Sequence, residues 1–420
     1  MRLFGLGPPV ASLLGRIGGI LLRAGELDAA AMAYGCAVKA DAGNIAAHIK
    51  LSALQHWKGR AEKARETLER GIREKPFYVR PCPNEPLGHV MTVRGVEGGH
   101  YMVGWRHNEE RKVVLRGGNI SDRHLIDRDR FTKTNFFVFD DNLLSCPDLP
   151  TFDIIVNTIA DPDLEPRALG TVSAFLRRHP EIPVINHPDR VLETTRDNNH
   201  RRLKDVPGLL VPKTVRVAGA PPAAADVIRA MDENGLSFPI LVRETGSHTG
   251  HTLRRFDDRA TVERGLPYQN ARELYVTQYV ESLFKGPYFR KMRLFFVDGE
   301  TFPVVCHIDT EWNVHGDNRT RLMAKNQWMM DEEKAFMADP RAYLGPARMD
   351  AVRKLYSVIG LDFFGLDFTL TGGGDVLVYE VNPVMMHGFD HARHFPYLTP
   401  YLENVSEAFN RMIAARLRPT

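Results

Sequence analysis

Asp367 and Glu380 are the residues whose type and spacing most clearly invite chemistry. Each is a lone acid in an apolar run: Phe363-Phe364-Gly365-Leu366-Asp367-Phe368-Thr369-Leu370 and Val376-Leu377-Val378-Tyr379-Glu380-Val381-Asn382-Pro383. Gly372, Gly373 and Gly374 lie between them, so the two runs read as strands of a hairpin whose acids can face each other. Glu380 and Asn382 are two residues apart and share a strand face. Burying an uncompensated carboxylate is costly. A hard cation with oxygen ligands removes that cost, and Mg2+ takes one or two carboxylates together with substrate phosphates. Asp367, Glu380 and Asn382 are therefore candidate Mg2+ ligands; ion pairs from Arg243 or Arg293 are the alternative.

Two cationic segments precede this hairpin. Phe238 to Arg243 is an apolar run ending in arginine, followed by the loop Glu244-Thr245-Gly246-Ser247-His248-Thr249-Gly250-His251. A loop of small residues exposes backbone N–H groups and can fold over phosphates, and the guanidinium adds fixed positive charge. Its spacing is not that of a P-loop, and the P-loop lysine is missing. Further on, Leu274 to Glu281 and Tyr288 to Val297 read as strands, and Asp298-Gly299 as a tight hairpin turn. Alternation puts Lys291 and Arg293 on one face and Arg290 on the other. A basic edge strand is the plainer reading of those cations. His307, Trp312 and His315 can line an acceptor pocket, and His387, with His391 and His394 after it, is a candidate for substrate contact rather than for a second metal. A hydrogen-bonded structural histidine is the alternative for each.

The elements that must position these groups follow. Asp153 to Asn157 and Pro183 to Pro188 read as strands and Leu169 to Arg178 as the helix between them, the doubly wound α/β pattern. Asn157, Asn186 and His187 sit at strand ends, where ligands bind in such folds, but turn residues are also found there. The Arg- and Asn-rich run from Pro188 to Lys204 reads as a solvated helix face. Near the N-terminus the sequence repeats: Gly25 and Gly59 are 34 residues apart, and around them Ala30 matches Ala64, Tyr34 matches Leu68, Ala37 matches Gly71, and Leu14, Ile17 and Gly18 match His48, Leu51 and Ser52. Small residues at fixed sites let paired helices approach, and large ones fill the gap. The period and this order resemble the tetratricopeptide repeat, with two copies over about residues 11–78. Two copies are fewer than an independent solenoid needs, so they are expected to pack on the rest of the chain or on another subunit, with docking as their role.

Composition bounds the rest. The chain has 420 residues, 43% hydrophobic and 25% charged, and a net charge of +3, which suits a globular protein and excludes a dedicated nucleic-acid binder. Four scattered cysteines form neither a disulfide scaffold nor a zinc motif, and no apolar run is long enough to span a bilayer. The expectation is a cytoplasmic protein with no membrane or nucleic-acid partner.

Over about residues 150–400, the order of a cation on a strand, a small-residue loop, a second strand, and then Asp followed by Glu-x-Asn resembles the ATP-grasp superfamily, of the glutathione synthetase-like, carboxylate–amine ligase type. The resemblance implies an α/β and α+β chain: tetratricopeptide-like helices over 1–78, an α/β domain over 79–190, and over 191–420 an ATP-grasp fold of two α+β subdomains gripping ATP, with a lid at about 206–280. It implies that Gln278, Tyr279 and Val280 form the hinge beside adenine, with Glu281 at the ribose. Thr245, Gly246, Ser247, His248 and Gly250 would form the phosphate lid, with Arg243 and Lys291 beside the nucleotide. Arg243 and Arg293 would be catalytic, and Asp367, Glu380 and Asn382 would hold Mg2+. The implied activity is an ATP- and Mg-dependent ligase that joins a carboxylate to an amine or related nucleophile through an acyl phosphate, acting on an amino acid or a peptide. A nucleotide-binding repeat scaffold without catalysis, or a kinase of the same superfamily, are the alternatives. A peptide or protein partner at the repeats and a homo-oligomer are further expectations. Many members of the superfamily carry lysine where this chain has Arg243. A second family lysine has no clear counterpart, and Arg202 or Lys204 could serve.

Overall fold

The computed structural model describes residues 7–105, 110–219, 221–248, 250, 252–383 and 385–417. Thr249 and His251 of the glycine-flanked loop lie outside the described residues.

The chain opens with α1 (Gly7–Ala24), α2 (Leu27–Ala40), α3 (Ile45–Trp57) and α4 (Ala61–Glu74). Gly25 and Gly59 turn the chain between the helices of each pair at φ of 86° and 73°, which glycine adopts without strain. The repeat register is the packing register. Ala30, Tyr34 and Ala37 are buried in the first pair, and Ala64, Leu68 and Gly71 in the second. A Cβ on Gly18 would sit 2.8 Å from the Tyr34 ring, and one on Gly71 would sit 2.4 Å from the His48 ring, so only glycine permits these approaches.

Next come β1 (Phe77–Arg80), β2 (Gly88–Gly95), β3 (His100–Trp105), β4 (Arg111–Arg116), β5 (Phe131–Val138), β6 (Ile154–Asn157) and β7 (Val184–Ile185). With them are α5 (Asn142–Ser145), α6 (Pro166–Arg178), α7 (Pro188–Leu192) and α8 (Arg196–Leu203). Five strands form one sheet in the order β1-β5-β2-β6-β7, parallel except for β1. The β3–β4 hairpin stands apart and closes the helical repeats: Val103 joins the core of Ala30, Tyr34 and Leu54, while Tyr101 and Phe137 join that of Ile45, Leu68 and Ile72. The two repeats thus bury their open end on this chain's own strands, which supplies the layer that further repeats would provide.

Two more sheets follow. β8 (Leu209–Leu210) leads to β9 (Thr214–Ala218), α9 (Ala224–Asn234), β10 (Ile240–Glu244), β11 (Arg254–Phe256), α10 (Arg259–Glu263) and β12 (Glu273–Gln278). β11-β10-β12-β9 is an antiparallel sheet with its own core, in which Val227, Ile228 and Met231 of α9 pack on Ile240, Val242, Leu274 and Val276. The third sheet holds β13 (Leu283–Phe284), β14 (Tyr288–Val297), β15 (Glu300–Asp309), β16 (Phe363–Leu370) and β17 (Val376–Asn382) in the order β13-β14-β16-β17-β8, with β15 paired to β14. Asp298 and Gly299 make the β14–β15 turn, both at positive φ, as a two-residue hairpin requires. The helices α11 (Gln327–Ala338), α12 (Pro340–Leu344), α13 (Pro346–Ile359) and α14 (Thr399–Arg416) complete the C-terminal part. No helix among the described residues is long and apolar enough to cross a membrane.

Candidate active site

A cavity of about 870 Å³ lies between the β9–β12 sheet and the face of β14–β17, walled also by α8 and by the β3–β4 hairpin. Strand register builds its floor. Arg293 of β14 is opposite Asp367 of β16, and Asp367 is opposite Glu380 of β17. A bulge beside Asp367 leaves Tyr379 as an extra residue on β17. Asp367, Glu380 and Asn382 are thereby brought together in the cavity wall.

Both acids are already paired with cations. Arg293 grips Asp367 with two bonds, Nε to Oδ1 at 2.7 Å and Nη2 to Oδ2 at 2.8 Å, and Lys291 Nζ stands 3.8 Å from Oδ2. Glu380 Oε1 accepts from Arg196 of α8 and, at 2.9 Å, from Asn382 Nδ2. Burial works to raise the Glu380 carboxyl, but Arg196 and then Arg243 hold it at about 2. The ion pairing expected as the alternative to metal is present, with Arg196 rather than Arg243 on Glu380.

The cations outnumber the acids. Arg116, Arg196, Arg243, Lys291 and Arg293 line the cavity, against Asp367 and Glu380. Arg243 is 8% exposed, and among the described residues its guanidinium is held by Ser247: Nε donates to Ser247 Oγ at 3.2 Å and Nη2 to the Ser247 carbonyl. Burial, then repulsion from Arg196, pushes it down to about 9. Burial also lowers Lys291, against the pull of Asp367. A buried guanidinium without a carboxylate of its own, among other cations, makes a site for an anion.

The donor set suits a hard cation: two carboxylates and an amide, all oxygen ligands, beside a surplus of positive charge for phosphate. Among the described residues no group of three or more His, Cys, Asp or Glu is placed to hold a metal ion. Asp367, Glu380 and Asn382 fit Mg2+ in the way that leaves much of its coordination to phosphate and water, and only with the arginines sharing the same carboxylates.

The cavity also has an apolar lining, from Val211, Pro212, Leu241, Val280, Leu377 and the Tyr379 ring. Gln278 and Tyr279 also line it, but the Gln278 side chain turns back to Ser237, and the N–H groups of Gln278 and Tyr279 bond the carbonyls of Lys213 at 2.8 Å and Pro239 at 3.2 Å. Gly246, His248 and Gly250 line the cavity, with His248 Nε2 2.7 Å from Asp161.

Several expected residues lie elsewhere. Thr245 bonds its N–H to the Glu273 carbonyl and does not line the cavity. Ser247 acts through Arg243, which it holds, and Glu281 is exposed outside the lining. His307, Trp312 and His315 line the cavity, as does His391. His387 does not: it is 2% exposed, bonded through Nε2 to Ser406 Oγ at 3.0 Å and packed on Phe295, so it is a structural histidine. Asn157 and Asn186 are structural as well; Asn157 Nδ2 donates to the Asn186 carbonyl at 2.9 Å, and Asn186 pairs with the backbone of Phe363.

Sequence reasoning missed Arg196, Asn199 and Arg116. Arg196, Asn199 and Leu203 all line the cavity and are spaced i, i+3, i+7, the mark of one inward helix face inside an otherwise charged run. Arg202 and Lys204 do not reach it. Arg202 donates to the carbonyls of Val358 and Ile359, and Lys204 is half-exposed 4.0 Å from Asp205.

Residues 21–80 match the tetratricopeptide repeat family. The repeat region therefore carries over from sequence to structure in the register described above. No curated protein matches the sequence. Among solved structures, D-alanine–D-alanine ligase from Bacillus anthracis is similar at 12% identity and a TM-score of 0.43, over 78% of this chain and 98% of that one. The RimK domain ATP-grasp protein from Sphaerobacter thermophilus is 15% identical with a TM-score of 0.43, over 77% and 99% of the two chains. VanG D-Ala:D-Ser ligase from Enterococcus faecalis is 12% identical with a TM-score of 0.44, over 78% and 99%.

Proposed function

We propose that this protein binds ATP in the cavity and uses it to join a carboxylate to an amine or a related nucleophile. One observation carries the reading: five cations line the cavity against two carboxylates, together with apolar side chains such as Val211, Leu241, Val280 and Leu377, a match for a triphosphate and a base. The carboxylate oxygen of the substrate attacks the γ-phosphorus, the bond to ADP breaks, and an acyl phosphate forms. The amine then attacks the acyl carbon, phosphate leaves with the bonding electrons, and the amine proton passes to solvent. Phosphoryl transfer depends on positioning and charge neutralisation. Arg243 and Arg293 stabilise the charge on the transferring group, and Lys291 orients it. The lid loop around Gly246 and Gly250 keeps water from the acyl phosphate. Mg2+ held by Asp367, Glu380 and Asn382 would supply further neutralisation of the phosphates.

Binding of the non-hydrolysable analogue AMP-PNP, followed by screening of acids and amines for phosphate release, tests this reading. ADP, free phosphate and a new amide are expected; a phosphorylated product would make the protein a kinase instead. A second reading, a nucleotide-binding scaffold, is favoured by the arginines already seated on Asp367 and Glu380. Tight AMP-PNP binding with no turnover on any acid would select it. We also infer that the helical repeats dock a peptide or protein partner. The cytosol is the compartment we assign.

A further inference from the structure

An ion pair that the reaction above does not use lies against β15. Arg319 is 1% exposed and Glu333 of α11 fully buried, and two bonds join them, Nη1 to Oε1 at 2.8 Å and Nη2 to Oε2 at 2.6 Å. Glu333 is held in turn by the Tyr397 hydroxyl at 2.7 Å and the Cys306 N–H at 2.7 Å. The same Nη1 of Arg319 is 3.1 Å from Nδ1 of His307. A guanidinium can only donate, so Nδ1 must accept, and the hydrogen of the neutral imidazole is then on Nε2. His307 is opposite Lys291 in the β14–β15 register and lines the cavity. No described residue accepts from its Nε2. Lys291, Arg293 and the His307 N–H therefore form a corner of donors; of the acids that act on Lys291, Asp367 is taken by Arg293, Glu380 by Arg196 and Asn382, and Asp309 accepts from Asn318 and the Thr310 N–H.

We propose that the Arg319–Glu333 pair locks His307 as an Nε2–H donor, and that this N–H, beside Lys291, binds an oxygen of the substrate carboxylate. The second half rests on the ligase reading; the first half does not. Burial and the neighbouring Arg319 depress His307 well below its ordinary value, which keeps the ring neutral. His307 is then a hydrogen-bond donor and not a base, and Arg319 is a positioning residue that acts through it. A corner of donors selects acceptor-only oxygens, which is how an acid is told from its amide or alcohol counterpart.

NMR of the full chain labelled with 15N-histidine tests this. The His307 signal is assigned by its loss in His307→Gln. In the nucleotide-free protein Nε2 is expected to carry the proton and Nδ1 to be bare; an Nδ1–H or doubly protonated ring would overturn the lock. Replacing the pair with apolar residues, Arg319→Met with Glu333→Leu, avoids a stranded buried charge and is expected to give mixed tautomers. Arg319→Lys, which withdraws the fork from Nδ1, is a second variant with the same expectation, and a retained pure Nε2–H form in both would overturn the positioning role. Acetate is then titrated with AMP-PNP present. A shift of the His307 Nε2–H with acetate is expected in the native chain, and acetate affinity measured by calorimetry is expected to fall about tenfold in His307→Leu and under about threefold in His307→Gln. A shift produced by AMP-PNP alone, or no shift with acetate, would overturn the carboxylate assignment. Absence of AMP-PNP binding would count against the ligase reading and leave the tautomer result standing.

Discussion

Arg196 and Glu380 are 184 residues apart in sequence and form an ion pair in the wall of the cavity. The pair ties the first turn of α8 to the strand that carries two of the three oxygen donors. Replacing Arg196 with Met removes a cation from the anion site and frees one carboxylate. AMP-PNP affinity measured by calorimetry is expected to fall about tenfold, the range of a charged hydrogen bond. The melting temperature should change little, since Arg196 is only partly buried.

Asp367 and Arg293 form a bidentate pair whose carboxylate is nearly inaccessible. Asp367→Ala strands Arg293 and the buried Lys291, and the expected loss is about 3–5 kcal/mol by chemical denaturation. Adding Arg293→Met should restore part of that stability. Neither variant should consume ATP above background. Recovery of turnover in the double variant would separate these residues from the chemistry.

The Glu165 and Glu380 carboxyls are displaced in opposite directions from the ordinary value. Burial pushes the Glu165 carboxyl up to about 7 from an ordinary 4.5, although the N–H groups of Glu97 and Gly98 donate to it. A raised acid binds its proton more tightly in the folded protein. Its contribution is therefore fully present below about pH 4.5 and is lost as pH rises through about 7, on the order of 3 kcal/mol. Glu380, held at about 2, contributes above its ordinary value of 4.5 and loses that contribution as pH falls through about 2. Denaturation across pH should show stability declining from pH 5 to pH 8 in the native chain. In Glu165→Leu that slope should flatten, and an unchanged slope would remove the assignment.

Asp163 fastens the β9–β12 sheet to the β6 end of the first sheet. It accepts from Arg216 Nη2 at 2.7 Å and from the Tyr275 hydroxyl at 2.7 Å. Asp163→Ala is expected to loosen this attachment by about 1–3 kcal/mol. Faster hydrogen exchange in β9 and β12, with α1–α4 unchanged, is the measurement that checks it.

Gly71 sits where a Cβ would come within 2.4 Å of His48, whose ring bonds the carbonyls of Thr67 at 2.8 Å and Ala42 at 3.0 Å. Gly71→Ala should destabilise the repeats by about 1–3 kcal/mol, the usual cost of overpacking. Circular dichroism melts should show the loss, and AMP-PNP affinity should be retained.

The sequence by itself determined whatever depends on neighbours along the chain. The alternation in β16 and β17 and the glycine turn between them set Asp367 opposite Glu380 and put Asn382 beside it. The 34-residue period placed Ala30, Tyr34, Ala37 and their partners on the buried faces, because a helix repeats its surface every few residues. Only the tertiary structure decided which groups meet across long separations. Arg196 looked like part of a solvated run until α8 packed its Arg196, Asn199 and Leu203 face against the cavity. His387 read as a candidate for substrate contact, with a structural histidine as the alternative, until β14 and α14 closed over it. The partners of buried charges were equally hidden: Arg319 and Glu333 face each other because α11 covers β15, and no local pattern encodes that contact. Local periodicity is set by bond geometry, whereas charge pairing is set by the packing of whole elements, where the cost of an unpaired buried charge selects the partner.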